Sequence, residues 1–295
     1  MSVNLQVYNR KQKKFEETSQ YGGGMLDILY NHLPGRVLLK LVIHPVFSRM
    51  YGIYNSSPFS KGRIAPFVKK YEISLADYEK QQYRSFNDFF TRKIKADKRP
   101  VDMRAESLIA PADSKLSIYP IKEECCIQVK GVSYTLSELV GGKVDMLDYE
   151  GGICLVFRLT MDDYHRYAFV DNGRLVRRYP IKGRLHTVSS LSKAHKVYRE
   201  NSRVVNVLAT QNFDRMVCIE VGALLVGRIV NYPIKVFRKG MEKGYFKLGG
   251  STIIMLLKQG VVEIDQDIVD ICKDGVEVKV LMGEAIGRRY RKKRG

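Results

Sequence analysis

The sequence has no tryptophan, no CxxC motif and no long apolar run. Its five cysteines are an odd number, none belongs to a CxxC pair, and the adjacent Cys125 and Cys126 do not easily bridge each other. A disulfide framework and a structural zinc site are therefore not expected, and a reducing cytosol fits this usage. No stretch reaches the roughly 18 apolar residues that span a bilayer. The polar N-terminus does not resemble a signal peptide, so any membrane contact is expected to be peripheral.

Acidic residues are scarce relative to basic ones. The 50 Lys and Arg against 31 Asp and Glu give a formal net charge of +19, which predicts a polyanionic partner, either nucleic acid or an anionic membrane surface. No recognised nucleic-acid-binding module or stacking-aromatic motif is present, so no nucleic-acid partner is expected. The basic cluster at 288–294 can attract anionic lipid, although such a tail also serves simply to keep a protein soluble.

The residue pattern of the sequence changes near residue 98, from helical to β-rich. In residues 1–98 the pattern is helical, and segment 36–54 mixes apolar residues with Arg36, Lys40 and Arg49. That mixture suits a membrane interface as well as a buried core helix. From 99 to 295, short β-rich runs alternate with turn signals. We therefore expect an α+β fold, with a helical membrane-interface region at 1–98 and a mainly antiparallel, β-rich, sandwich or barrel-like core at 99–295.

Residues 248–252 (Leu-Gly-Gly-Ser-Thr) lead directly into the apolar run 253–257. Glycine has no Cβ and leaves its carbonyl open to attack, and a following serine can turn its hydroxyl onto that carbonyl. The bond between Gly250 and Ser251 is therefore a candidate for self-cleavage. The same residues also suit an ordinary turn that leads into a strand.

His165 and Asp113 are the candidates for acid–base chemistry. His165 lies in a polar cluster that follows the apolar strand 153–159, where a titratable imidazole can act as an acid or a base; a surface loop is the alternative. Asp113 follows a proline turn among apolar residues. Its carboxylate can orient a histidine, as in the Ser-His-Asp arrangement, or it can cap the turn.

Five short segments stand in a fixed order along the chain: 85–92 (Ser-Phe-Asn-Asp-Phe-Phe-Thr-Arg), 110–113 (Ala-Pro-Ala-Asp), 163–166 (Asp-Tyr-His-Arg), the glycine-spaced 221–227, and 243–252 with its Gly-Gly-Ser-Thr. With these segments in this order, the chain resembles the phosphatidylserine decarboxylase family over nearly its whole length, in the Gly-Gly-Ser-Thr form of a bacterial subgroup. Two departures from the family pattern stand out: Ser114 replaces a usual glycine, and Ala168 replaces the second histidine of the family's self-cleavage triad.

The resemblance implies a cofactor that the chain makes from itself. Ser251 attacks the Gly250 carbonyl, which yields chains 1–250 and 251–295 and turns Ser251 into a covalent pyruvoyl group. Its carbonyl forms a Schiff base with the amine of phosphatidylserine and withdraws electrons as CO₂ leaves. The product is phosphatidylethanolamine, and no metal or diffusible cofactor is implied.

The resemblance also implies roles for the candidate residues. Asp113 is the orienting carboxylate and His165 the acid for decarboxylation. Because Ala168 cannot accept a proton, either another base, with His165 or His186 as candidates, activates Ser251, or maturation is slow or lost. The implied partner is phosphatidylserine in an anionic membrane, with the protein peripheral on the cytoplasmic side of the cell membrane; a homodimer is left open.

Three alternatives remain at this point. A relative that is neither cleaved nor catalytic, and only binds anionic lipid, is supported by Ala168. A pyruvoyl enzyme for a related lipid or a soluble amino acid is the second, although the interfacial segment disfavours a soluble substrate. A nucleic-acid-binding protein is the third, and only the net charge favours it.

Overall fold

The computed structural model describes residues 5–18, 45–79, 82–129, 132–183, 197–223, 228–248 and 251–291. These residues form the strands β1 (Leu5–Asn9), β2 (Lys14–Thr18), β3 (Ser107–Ile109), β4 (Ser114–Pro120), β5 (Cys126–Val129), β6 (Val132–Thr135), β7 (Ile153–Leu159), β8 (Arg166–Ala168), β9 (Gly173–Ile181), β10 (Arg203–Thr210), β11 (Arg215–Gly222), β12 (Arg228–Asn231), β13 (Val236–Phe237), β14 (Glu242–Lys247), β15 (Ser251–Leu257), β16 (Val262–Ile264), β17 (Glu277–Val280) and β18 (Ala285–Arg289).

The helices that the described residues form are short. The α-helices are α1 (Pro45–Ser56), α2 (Ile64–Lys70), α3 (Phe86–Phe90), α4 (Leu136–Val140), α5 (Val197–Glu200) and α6 (Gln266–Lys273). Short 3₁₀ segments occur at Pro58–Arg63, Leu75–Asp77, Ala96–Lys98, Glu123–Cys125 and Leu147–Tyr149. Within the described ranges, no helix is long and apolar enough to cross a membrane.

One large sheet organises the molecule. Its ten strands run in the order β13-β9-β10-β11-β15-β7-β4-β17-β1-β2, and every pairing in it is antiparallel except that of β1 with β17. The described strands leave this sheet open at β13 and β2, so it is not a closed barrel. Smaller sheets have the orders β12-β14-β8, β16-β18-β3 and β5-β6. The predicted α+β fold with a mainly antiparallel core is confirmed.

The central strands are buried on both faces of the large sheet. Neighbouring residues of a strand point to opposite faces, and Ile253 and Ile254 accordingly enter two different apolar clusters. Phe157 and Val156 of the adjacent β7 divide in the same way. Burial on both faces explains why these strands appear in the sequence as continuous apolar runs rather than as alternating patterns.

The N-terminus differs from the helical prediction. Residues 5–18 form the hairpin β1–β2, and β1 lies parallel to β17 through the pair Val7 and Glu277. Val7 is buried, whereas the residues beside it in β1 are more exposed, which is the alternation of a strand with one buried face. The helical prediction was therefore wrong for this segment, because a partner strand some 270 residues away stabilises it.

The rest of the N-terminal region agrees better with the sequence. Segment 36–54 is helical from Pro45 onwards, and a proline suits the first turn of a helix, where its missing N–H is not needed. The earlier part of that segment lies outside the described residues. The division of the chain into 1–98 and 99–295 stays a prediction.

Candidate active site

Ser251 is the first residue of β15. It lies opposite Gly222 of β11 and Leu159 of β7, and it is fully buried. Gly249 and Gly250, and with them the predicted scissile bond, lie outside the described residues. The strand that the alternative reading of these residues placed after the glycine pair is present, and the serine stands at its first position.

Among the described residues, the hydroxyl of Ser251 has no hydrogen-bond partner, and neither has that of Thr252. A buried hydroxyl without a partner costs about 1–3 kcal/mol, so each such atom in a folded protein calls for an explanation. The two side chains point to opposite faces of the sheet because they are neighbours in one strand. No contact within the described residues accounts for either unpaired hydroxyl.

His165 lies in the connection between β7 and β8. Its Nδ1 is 2.9 Å from the carbonyl oxygen of Asp163, and because a carbonyl can only accept, Nδ1 carries the proton. Nε2 of the neutral ring therefore holds a free lone pair. That atom is buried and has no hydrogen-bond partner.

Burial lowers the pKa of His165 to about 3. The hydrogen bond to Asp163 opposes this effect, and the positive charge of Arg92 adds to it. The ring of Phe90 packs 4.2 Å from the imidazole, centroid to centroid. At neutral pH His165 is therefore an uncharged base with one nitrogen available, the form required to remove a proton from a hydroxyl.

A buried ion pair fixes the turn that carries His165. Nζ of Lys115 lies 2.7 and 2.8 Å from the carboxylate oxygens of Asp163 and 2.5 Å from Oγ1 of Thr160. The backbone N–H of Thr160 donates to the same carboxylate at 2.6 Å. Burial raises the pKa of Asp163 while Lys115 opposes that change. Sequence reasoning missed Lys115; its only signal is that it is the one charged residue of strand β4.

Asp113 makes a different set of contacts from the one expected. Its carboxylate accepts bidentate hydrogen bonds from Arg99, at 2.5 to 3.0 Å, and one from the backbone N–H of Met282 at 2.9 Å. The structure does not join it to His165 or Ser251 through any hydrogen bond. Arg99 was not among the predicted residues, and a cation 14 positions before the carboxylate gives no local signal of this pair.

Ala168 is buried in β8, and its N–H donates to the carbonyl of Pro111 at 2.9 Å. Position 168 therefore lies against the segment that carries Asp113. An imidazole at this position would stand beside that segment, but the methyl group of alanine supplies no base there. Ser251 and His165 do not bond to each other either, since Oγ and Nε2 are both without partners.

Helix α3 connects the remaining motif to this region. Ser85 caps the helix by accepting the N–H of Asp88 at 3.1 Å, as serine commonly does at a helix N-terminus. The side chain of Asn87 accepts the N–H of Leu248 at 3.4 Å. Leu248 and Phe90 belong to one apolar cluster, and Phe90 also packs on the His165 ring. Helix α3 therefore contacts both His165 and the chain three residues before Ser251. The remaining histidines, His32, His44, His186 and His195, lie outside the described residues.

The low pKa of His165 predicts a specific pH dependence of stability. The folded pKa, about 3, lies below the ordinary 6.5, so the unfolded chain binds more protons between these values. The contribution of His165 is complete above pH 6.5 and is lost as the pH falls towards 3, by up to about 1.4 kcal/mol per pH unit.

We therefore expect His165→Gln, made in the single-chain Ser251→Ala background, to flatten the acid side of the stability profile. Urea unfolding between about pH 5 and about pH 7 measures the slope, and the Ser251→Ala chain is the reference because carboxylates common to both chains cancel. If the free energy of unfolding changes with pH by the same amount in both chains, His165 is not buried in its neutral form.

Comparison with known proteins identifies the family. The family model described as phosphatidylserine decarboxylase matches residues 86–288. A protein of Clostridium acetobutylicum named phosphatidylserine decarboxylase proenzyme 2 is 48% identical over 97% of this chain and 99% of its own length. Proteins named phosphatidylserine decarboxylase proenzyme are 40% identical in Clostridium beijerinckii and 39% in Ruminiclostridium cellulolyticum, covering 97% and 96% of this chain and 99% and 97% of their own lengths.

These matches define an enzyme of the carboxy-lyase class. The chain belongs to the phosphatidylserine decarboxylase family.

Proposed function

We propose that this chain is a self-processing, pyruvoyl-dependent decarboxylase of phospholipid biosynthesis, which converts phosphatidylserine to phosphatidylethanolamine and CO₂ at a membrane surface. The observation that carries the proposal is the buried, unpartnered hydroxyl of Ser251 at the first position of β15. The word "proenzyme" in the names of the relatives supports cleavage into two chains.

In maturation, Oγ of Ser251 attacks the carbonyl carbon of Gly250. The peptide C–N bond breaks as the ester C–O bond forms, and the proton of the hydroxyl moves to the freed nitrogen. Elimination then releases the Gly250 carboxylate and leaves a dehydroalanine, which loses ammonia on hydrolysis. The products are chains 1–250 and 251–295.

His165 has the properties that this proton transfer needs. Its Nε2 is unprotonated, buried and without a partner, so we assign to it the removal of the Oγ proton. A shift in local structure must bring the two atoms together, because they do not bond to each other in the uncut chain. Asp113 is a positioning residue in this scheme, and its ion pair with Arg99 holds the segment beside Ala168.

The pyruvoyl group derived from Ser251 would occupy the position of the Ser251 side chain. That position is buried, and the neighbouring strands exclude water from it. The carbonyl of the pyruvoyl group supplies the electron sink that decarboxylation requires. A proton must then return to the carbon that has lost CO₂. The low pKa of His165 belongs to the closed, uncut chain, so His165 can deliver this proton only after the site opens and the ring takes up a proton from solvent. The apolar wall formed by Phe90 and the neighbouring aromatic residues keeps bulk water from that carbon.

An exposed apolar surface supports the membrane location. We name it the N-terminal patch, and it consists of Val46, Phe47, Met50, Ile53, Tyr54 and Phe59. Phe59, the most exposed of them, has 89% of its surface in solvent. The exposed Lys61, Lys69 and Lys70 follow in the next two helical segments. Apolar side chains beside basic ones suit an anionic bilayer surface, which we place at the cytoplasmic side of the cell membrane.

We expect Phe59→Ser to weaken binding to vesicles that contain phosphatidylserine by roughly tenfold, the effect of withdrawing one large apolar side chain from the bilayer. Vesicle flotation measures the bound fraction. Phe15→Ser is the matched control, because Phe15 is also exposed but lies on the edge strand β2. If both variants bind the vesicles as well as the unmodified chain does, the N-terminal patch does not contribute to membrane binding.

Ala168 favours a second candidate function. A chain that is never cleaved would bind anionic lipid through the N-terminal patch without catalysis. Incubation with phosphatidylserine vesicles separates the two proposals: formation of phosphatidylethanolamine and CO₂ by the purified protein supports the first, and vesicle binding without either product supports the second. A homodimer remains a prediction that sedimentation of the same preparation tests.

A further inference from the structure

Arg92, the second residue after α3, is a buried cation whose hydrogen-bonding capacity is largely unused. Only 2% of its surface is exposed, and neither Nε nor Nη2 has a hydrogen-bond partner. Nη1 makes one long contact, 3.4 Å to the carbonyl of Phe89. The guanidinium instead lies over the rings of Tyr78 and Phe89, 4.6 Å from each centroid.

Other buried arginines of the described residues are better satisfied. Arg158 forms a buried ion pair with Glu277, and Arg203 donates to backbone carbonyls on two sides. A guanidinium is charged at every physiological pH and offers five donors in a rigid fork. Burying such a group without an anion is unfavourable, so the free donors of Arg92 indicate an anionic ligand that is absent from the uncut chain.

The position of Arg92 places that ligand beside the candidate acid–base residue. Phe90, two residues earlier, packs on the His165 ring. The backbone carbonyl of Arg92 accepts from Nε of Arg166 at 3.2 Å, and Arg166 is the next residue after His165. The charge of Arg92 also contributes to the low pKa of His165. A molecule that reacts at His165 therefore comes within range of this cation.

Phosphatidylserine, the substrate of the proposed function, carries two anionic groups near its reacting carbon. A cation bound to the carboxylate would stabilise the ground state more than the transition state, because that charge leaves the carboxylate as CO₂ forms. The phosphodiester keeps its charge throughout the reaction, and its paired oxygens match the fork of a guanidinium.

We propose that Arg92 binds the phosphodiester of the lipid headgroup through its free Nε and Nη2 groups. This inference rests on the proposed function for the identity of the substrate. Ser251, His165 and Arg92 are all buried in the uncut chain, so the proposal requires that the opening that admits the substrate to Ser251 also uncovers Arg92.

The test uses Arg92→Gln, with Arg84→Gln as the matched control, since Arg84 is exposed, lies eight residues earlier and loses the same charge. Decarboxylation of phosphatidylserine in neutral detergent micelles removes the contribution of the membrane surface charge. We expect both variants to mature as the unmodified chain does. For Arg92→Gln we expect KM to rise about 10- to 100-fold, the effect of losing a charge-assisted bidentate contact, with kcat changed by less than about threefold.

Phosphatidylethanolamine distinguishes the two anionic groups, because it has the phosphodiester and lacks the carboxylate. Its inhibition constant should rise in Arg92→Gln by the same factor as KM. A raised KM with unchanged inhibition would assign Arg92 to the carboxylate and overturn the proposal. An unchanged KM, or a variant that folds but stays uncut, would also overturn it.

Direct binding of dihexanoyl phosphatidylethanolamine separates this inference from the proposed function. If the unmodified chain is inert but binds this lipid more tightly than Arg92→Gln does, the assignment of Arg92 stands and the proposed function falls. Arg92→Lys covers the case in which Arg92→Gln does not fold. It keeps the charge and loses the fork, so we expect a smaller rise in KM with maturation intact; no rise would contradict the assignment.

Discussion

Ser251→Ala should remain a single chain of 295 residues and release no CO₂ from phosphatidylserine. Alanine has no hydroxyl to attack the Gly250 carbonyl, and no pyruvoyl group forms from it. We expect activity to fall by roughly 10⁴-fold or more, the scale of losing a covalent catalytic group. A denaturing gel and a CO₂-release assay measure the two effects on the same preparation.

Thr252→Val is the matched control for this change. The two hydroxyls are neighbours in β15, are both buried and both lack partners, but they face opposite sides of the sheet. Valine keeps nearly the shape of threonine, so cleavage and activity should persist. If Thr252→Val stays uncut while Ser251→Ala is cleaved, the assignment of the nucleophile is wrong.

His165→Gln should lower the rate of decarboxylation by about 10² to 10⁴, the range attributed to a positioned general acid or base. Glutamine keeps a polar atom near the position of Nε2 but does not exchange protons at neutral pH. Self-cleavage should slow as well, because the same nitrogen is assigned to the Ser251 proton. Turnover is therefore expressed per cleaved chain, so that slow maturation is not counted as slow chemistry.

Tyr167→Phe is the control for His165→Gln. Tyr167 is buried two residues away, and its hydroxyl donates to the carbonyl of Val230 at 3.1 Å. Removing this hydroxyl perturbs the same small sheet without touching a proton-transfer atom, so activity should stay within about threefold. Normal turnover per cleaved chain in His165→Gln would exclude His165 as the acid. An unchanged rate of self-cleavage in the same variant would leave His186 as the candidate base for maturation.

The local parts of the site could be predicted from the sequence because neighbouring residues carry them. Ser251 follows two glycines and precedes a run of apolar residues, so a strand that begins at the serine could be inferred. His165 follows the apolar run that became β7, which placed it at the end of a buried strand.

The contacts that adjust the site could not be predicted, because they join distant parts of the chain. Lys115 reaches Asp163 across 48 residues, and β1 pairs with β17 almost the whole chain away. Asp113 was predicted as a carboxylate that orients a reacting group, but its partner, Arg99, becomes visible only in the folded structure. Arg92 lies within a motif that the sequence displayed. Arg92 is significant because Nε and Nη2 of its guanidinium lack hydrogen-bond partners, and a sequence does not show which contacts a side chain makes.

The intact mass of the freshly purified protein under denaturing conditions tests the account most directly. We predict two masses, one for residues 1–250 and one for residues 251–295, the second lighter by one ammonia than a chain that begins with serine. A single mass for all 295 residues, in a preparation that still forms phosphatidylethanolamine, would contradict the proposal that Ser251 becomes the catalytic group.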